Sequence, residues 1–230
     1  MEGHASAATS AFRRVEIASL GTFGLLVLLL GAEAAPHVAA APLVGLAACL
    51  AGYLASDFTS GLVHWIADTW GSRETPIVGR ALIGPFREHH LDPEAITRHD
   101  FVETNGANCL ISIPVAILAL AVPLGPGPLQ HGRLFAASFL GALIVWTFGT
   151  NQFHKWAHAD TVPRIVARLQ QWRLILPPAL HGRHHHSPYT DDYCITSGWL
   201  NEPLRRLCFF QRLERAIAAA TGAKPRQNSQ

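Results

Sequence analysis

Five short stretches carry the side chains best suited to holding a metal. They are "HWIAD" from His64 to Asp68, "FREHH" ending in His89 and His90, and "ITRHD" with His99. "HKWAH" runs from His154 to His158, and "HGRHHH" holds His181, His184, His185 and His186. Residues four apart on a helix lie one turn apart on the same face. His64 with Asp68, and His154 with His158, therefore present their ligand atoms together. The same spacing argument puts His181, His184 and His185, at i, i+3 and i+4, on one helical face, with His186 pointing elsewhere and replaceable. Adjacent His89 and His90 point in different directions and suit two different ions. Imidazole is the commonest side-chain metal ligand. Thirteen histidines in 230 residues are the main anomaly of this composition.

One zinc takes about four ligands, so eight or nine imidazoles are enough for two ions. The zinc-protease pattern H-E-x-x-H is absent, and so is the E-x-x-H pair of soluble di-iron carboxylate bundles. A two-ion, histidine-dominated site beside a membrane points to iron and oxygen activation. Spacing alone does not select iron, because imidazole also suits zinc, copper and nickel. Other chemistries lack their residues. There is no G-x-S-x-G elbow, no P-loop and no G-x-G-x-x-G. "HWIAD" is one residue too short for an H-x-x-x-x-D acyltransferase pattern. The cysteines, Cys49, Cys109, Cys194 and Cys208, form no C-x-x-C pair, which argues against a zinc ribbon or a disulfide framework. Cys194 reads as a packed residue. A net charge of +2 is too small to indicate a nucleic-acid partner.

The elements that position these residues follow from hydropathy. The chain is 49% apolar and 15% charged, against about 25% charged in an ordinary soluble domain. Mean hydropathy is +0.19. Four apolar stretches reach the roughly 17–25 residues that a spanning helix needs, at about residues 16–35, 42–66, 107–124 and 134–157. The third is the shortest and contains Pro114. The first also resembles a cleaved signal peptide, with two arginines, an apolar core and small residues after it; the charge distribution favours a retained helix. The expected fold is therefore all-α: an integral membrane protein with four transmembrane helices. Residues 1–14 are expected as a tail, residues 15–220 as the membrane domain, and residues 221–230 as a disordered tail.

Arginine and lysine placement sets the orientation. Arg13 and Arg14 precede the first span, and Arg73, Arg80, Arg87 and Arg98 lie between the second and third. The other two loops are nearly free of positive charge. The positive-inside rule then puts both termini and the 70–106 loop in the cytoplasm. It gathers ten of the thirteen histidines at that face as a His-rich di-metal cap, leaving out only His4, His37 and His131.

The sets H-x-x-x-[HD], R-x-H-H and H-x-x-H-H resemble those of membrane fatty-acid desaturases and hydroxylases. The longer blocks "SGLVHWIADTWGS", "PFREHHLDPEAITRHDFVETNGAN", "NQFHKWAHAD" and "HHSPYTDDYCITSGWLN" resemble the plasmanylethanolamine desaturase family, also called Kua or CarF-like. They cover most of residues 57–204. The resemblance implies a four-helix membrane enzyme with two iron ions and O2 as co-substrate. Its electrons would come from an external electron-transfer protein of cytochrome b5 or ferredoxin type. The substrate would be a membrane phospholipid whose 1-O-alkyl chain becomes a vinyl ether, making a plasmalogen in, for a bacterial chain, the inner membrane. The implied metal ligands are His64, His89, His90, His154, His158, His181, His184 and His185, with no catalytic residue beyond them. Asp68, His99, Asp92 and Asn105 are expected in or just behind the ligand shell. Glu88, Asp100 and Asp160 are further candidate partners for ring nitrogens.

Arg73, Arg87 and Arg98 are candidates for the headgroup phosphate, or carry plain positive-inside charge. Trp65, Phe86, Phe153 and Trp156 flank the ligands, and either line a slot for the chain or sit at the headgroup level. Tyr189 stands where the family pattern often has a histidine. "PLRRLCFFQRLERAIAAA" reads as an amphipathic helix on the membrane surface or a donor-docking surface. A phospholipid acyl-chain desaturase and a lipid hydroxylase would use the same site. A non-enzymatic reading is a membrane metal-binding or signalling protein of carotenoid regulation.

Overall fold

A proline and a carboxylate cap set the starts of two of the long helices. The computed structural model describes residues 2–226, the side chains of residues 2–10 and of Ala81 excepted. Helix α1 runs Glu2–Ala40 and α2 Pro42–Thr69. Pro42 opens α2 at the position where its missing N–H costs nothing. A short π-helix, Gly79–Ile83, leads into α3 (Gly84–His89) and α4 (Ala95–Arg98). Helix α5 covers Phe101–Leu120 and α6 Gln130–His158. The remaining helices are short: α7 (Arg164–Gln171), α8 (Pro178–His184), α9 (Asn201–Arg206) and α10 (Phe209–Thr221). There is no strand among the described residues.

Helices α1, α2, α5 and α6 are each long and apolar enough to cross a membrane, over Ala11–Ala40, Pro42–Thr69, Phe101–Leu120 and Gln130–His158. The third lies earlier than the expected 107–124. Asp100 sets its start, accepting from Val102 N at 2.9 Å and Glu103 N at 3.0 Å. Its end precedes Pro123 and the left-handed Gly125. Pro114 stays inside the helix. At the N-terminus, α1 already begins at Glu2, within the expected tail. At the other end, residues 227–230 lie outside the described residues.

The chain divides into two compact units. The first comprises residues 1–56 and 99–152. Its core is Phe23, Cys109, Ala116 and Ile144, with Leu20, Ile113 and Phe148 packed against them. Helices approach closely where a side chain is missing: a Cβ at Gly52 would lie 2.6 Å from the carbonyl oxygen of Phe139. Two amide side chains inside this unit bond to backbone carbonyls. Asn108 Nδ2 donates to Thr147 O at 2.9 Å, and Asn151 Nδ2 to Thr104 O at 3.1 Å. Leu25, Leu28, Leu43, Leu46, Ile111 and Leu118 point outward and exposed, as lipid contact requires and water would penalise.

The second unit comprises residues 57–98 and 153–230. Trp65, Tyr193 and Phe210 form one core cluster, and Ala157, Leu176 and Ile195 another. The expected C-terminal amphipathic helix is two helices, α9 and α10, because Cys208 at φ 47° breaks it. Phe209, Leu213 and Ile217 of α10 pack against the Trp65 cluster, so that apolar face is used inside the unit. Arg226 N then donates to Thr69 O at 2.8 Å, returning the chain to the end of α2.

Candidate metal centre

His64, His89, His90, His154, His158, His181, His184 and His185 all belong to the second unit. The last turns of α2 supply His64 and Asp68, and the last turns of α6 supply His154 and His158. Helix α3 ends on His89, with His90 as its C-cap. Helix α8 carries His181 and His184, with His185 as its C-cap. Their ligand atoms fall into two groups, each with all atoms within 4.8 Å of one another. One group is His89, His154, His158, His181 and His185. The other is His64, Asp68, His90 and His184.

In the five-imidazole group, His89 Nε2 lies 2.9 Å from His158 Nε2. His181 Nε2 lies 2.8 Å from His154 Nε2 and 3.0 Å from His185 Nε2. One ring nitrogen carries at most one proton, so His181 Nε2 cannot satisfy both neighbours by hydrogen bonding. The crowding makes sense around a cation. A metal–nitrogen bond of about 2.05 Å gives adjacent nitrogens about 2.9 Å apart at right angles and about 3.3 Å apart in a tetrahedron. The observed spacings are as short as those of nitrogens that would share one cation.

The four-residue group shows its donors more directly. His64 Nδ1 contacts Tyr193 O at 3.1 Å, and His184 Nδ1 contacts Asp191 O at 2.8 Å. A carbonyl only accepts, so both Nδ1 atoms carry the proton and both Nε2 atoms present a lone pair. Those two Nε2 atoms and Asp68 Oδ1 are buried without a hydrogen-bond partner. Asp68 Oδ2 is approached by His90, His64 and His184 Nε2 at 3.0, 3.4 and 3.5 Å. Buried lone pairs converging on a carboxylate form a cation's donor set. Both groups thus fit a metal ion.

Outside the spanning helices, burial sets the protonation state. Desolvation, then the neighbouring His158, pulls His89 down to about 2. Desolvation and then His89 bring His185 to about 2. Burial and His154 pull His181 far below the ordinary imidazole value. All three stay neutral near pH 7, the state a ligand needs.

A lipid desaturase domain matches residues 53–228. The chain is 55% identical over 218 residues to a plasmanylethanolamine desaturase of Myxococcus xanthus, covering 95% of this chain and 76% of the relative. It is 50% identical to mouse plasmanylethanolamine desaturase 1, over 77% of this chain and 66% of the relative. The chain belongs to the lipid desaturase family. As a desaturase of this family it is an oxidoreductase. It is also 35% identical to the chloroplastic fatty acid desaturase 4 of Arabidopsis thaliana, over 78% of this chain and 54% of that protein. No solved structure matches this lipid desaturase.

The desaturase's structure differs from the spacing argument in one respect. His181 and His185 enter the five-imidazole group, whereas His184 enters the other. Successive helical residues turn by about 100°, so the i, i+4 pair stays together and His184 is turned aside. Adjacent His89 and His90 part as expected, one to each group. His186 belongs to neither; it is exposed, with Nδ1 2.6 Å from Gly182 O. His99 and Asn105 lie in the first unit of the desaturase. His99 pairs with Glu103 at 3.7 Å. Asn105 Nδ2 donates to Phe101 O at 2.8 Å and Gln152 Oε1 at 3.2 Å. Asp92 pairs with Arg98 and stands outside both groups.

The other two headgroup candidates are engaged as well. Arg73 pairs with Glu88. Arg87 donates to Ala67 O, Trp70 O and Gly71 O at 3.1, 2.9 and 3.0 Å, closing the end of α2. Among the flanking aromatics, Trp65 is buried in the core at 2% exposure. Phe86 lies 4.9 Å from the His64 ring, and Phe153 stacks on Trp156. Tyr189 lies 4.7 Å from the His90 ring. The backbone carbonyls of Asp191 and Tyr193 escape sequence reasoning, because a carbonyl belongs to every residue type.

Proposed function

We propose that this lipid desaturase holds two iron ions and uses O2 to convert the 1-O-alkyl chain of plasmanylethanolamine into the vinyl ether of a plasmalogen. The observation that carries the reading is the sorting of eight buried or half-buried histidines and Asp68 into two converging donor groups, in a chain 55% identical to a plasmanylethanolamine desaturase. His89, His154, His158, His181 and His185 hold one ion; His64, Asp68, His90 and His184 hold the other. Iron, when bound, supplies oxygen activation, which neutral side chains cannot. The reaction balances as O2, two electrons and two protons taken up, two hydrogens removed from the C1–C2 bond of the alkyl chain, and two waters released. An external donor of cytochrome b5 or ferredoxin type provides the electrons.

The protein's own residues hold and shield. His64 and His184 are fixed in one tautomer by backbone carbonyls, so their Nε2 lone pairs need no rearrangement. Asp68 supplies the carboxylate charge that offsets a divalent cation among neutral imidazoles. His64, His154, His181 and His184 are at most 6% exposed, which keeps water from the donor atoms. His99, Asp92 and Asn105 lie outside this ligand set. The arginine bias supports a cytoplasmic location of both termini and the centre, at the inner membrane if the chain is bacterial.

A second reading, desaturation of a phospholipid acyl chain, draws on the similarity to the chloroplastic fatty acid desaturase 4. One experiment separates them. The chain is expressed in a host without vinyl ethers that is fed an alkyl ether lipid, and the lipids are analysed by mass. Acid-labile vinyl ether is expected with the wild type and not with His181→Ala. A new acyl double bond without vinyl ether supports the second reading, and a product heavier by one oxygen marks a hydroxylase.

A further inference from the structure

One stripe of α2 carries more than the donor atoms. Asp57, Ser60, Gly61, His64 and Asp68 recur at helical spacing along it. The upper part of the stripe binds the segment 191–201, and that segment's carbonyls hold the imidazoles. Asp57 is fully buried. Its Oδ1 accepts from Ser197 N at 2.8 Å and Gly198 N at 2.9 Å, and its Oδ2 accepts from Leu200 N at 3.0 Å. Ser60 Oγ accepts from Ile195 N at 3.0 Å and donates to Asp57 O at 2.7 Å. Asn201 closes the segment on itself, with Oδ1 accepting from Cys194 N at 2.8 Å and Nδ2 donating to Cys194 O at 3.1 Å. Gly61 lets it lie flat on α2, since a Cβ there would stand 2.5 Å from Cys194 Sγ and 3.2 Å from Cys194 N.

We propose that Asp57 is a positioning residue for the four-residue group: by holding segment 191–201 it sets the two carbonyls that fix His64 and His184. The inference rests on the reading that these groups hold metal. Its chemistry is that of a partner behind the ligands. A carboxylate accepting three backbone N–H bonds in a buried place is costly to remove. Losing it frees the segment bearing Asp191 O and Tyr193 O, and both imidazoles then turn or change tautomer. The five-imidazole group has no such clamp at His181 and His185, whose Nδ1 atoms are buried without a partner. The effect of Asp57 therefore falls on one group alone. Removing partners of this kind weakens metal affinity by about 10–100-fold.

The test is a Co2+ titration of metal-free protein in detergent, followed by visible absorption, with His64→Ala and His154→Ala assigning the two binding phases. Asp57→Ala is expected to weaken the phase lost in His64→Ala about 10–100-fold and leave the phase lost in His154→Ala unchanged. Asn201→Ala acts on the same segment from its other side and is expected to weaken the same phase, which covers the case in which Asp57→Ala does not fold. Asn108→Ala, in the other unit, is expected to keep both phases and controls for general loss of stability. Equal weakening of both phases in folded variants, or no change in either, overturns the positioning role. A wild type that binds no Co2+ overturns the metal reading itself.

Discussion

The first and last members of the run His184, His185, His186 are expected to respond in opposite ways to the same substitution. His184 is 1% exposed, with Nδ1 on Asp191 O and Nε2 3.5 Å from Asp68 Oδ2. His186 is exposed and touches Gly182 O. Structural zinc in four-ligand zinc-finger peptides gains roughly 10–16 kcal/mol on binding, and an even split gives a scale of about 2.5–4 kcal/mol for each ligand. Losing one ligand thus weakens binding about 10²–10³-fold. Deleting the bond to Asp191 O costs about 1 kcal/mol of fold stability besides. His186→Ala removes one exposed contact and stays within about 0.5 kcal/mol of the wild type. The assay is metal per chain, by elemental mass spectrometry of detergent-purified protein, alongside desaturation in cells. His184→Ala is expected to lose the metal of the four-residue group and all product, while His186→Ala keeps both. Equal loss in the two variants, or full metal in His184→Ala, would refute the assignment of donors from buried, tautomer-fixed nitrogens.

Asp68→Asn keeps the shape but removes the charge, and is expected to empty the four-residue group while the five-imidazole group still binds, read as about half the metal per chain. Gly198→Ala, at φ 75° and with a Cβ 3.2 Å from Asn201 Nδ2, is expected to cost about 1–2 kcal/mol, seen as a lowered melting temperature. Metal-free protein is expected to lose stability in acid. His89 and His185, at about 2 when folded, bind protons at about 6.5 when unfolded. Between those values the unfolded chain holds more protons, so stability falls as pH drops below about 6.5. A melting temperature that stays flat from neutral pH to pH 4.5 would contradict the burial of these rings.

The four long apolar helices and the pairing of histidines along single helices were legible, because each depends on local sequence alone. Length and hydropathy located four spanning helices, and i, i+4 pairs kept His64 with Asp68 and His154 with His158. The split of His181 and His185 from His184 was not legible, because it depends on what faces each side of α8. The start of α5 depended on a single cap, Asp100, which local hydropathy ignores. His99 and Asn105, expected in or just behind the ligand shell, belong to the first unit, where they contact Glu103, Phe101 and Gln152. Asp57 was passed over because its partners are backbone N–H groups 140 to 143 residues away.

Two dipeptides, His89–His90 and His184–His185, each give one imidazole to each group. Consecutive Cα atoms stand 3.8 Å apart whatever the surroundings, so the chain itself acts as a ruler between the two groups, applied twice. Detergent, temperature or a loosened core can shift helices without stretching that ruler. A one-residue insertion inside either dipeptide would break both groups at once. The spacing of the two groups is thus set by covalent geometry, independently of what packs around it.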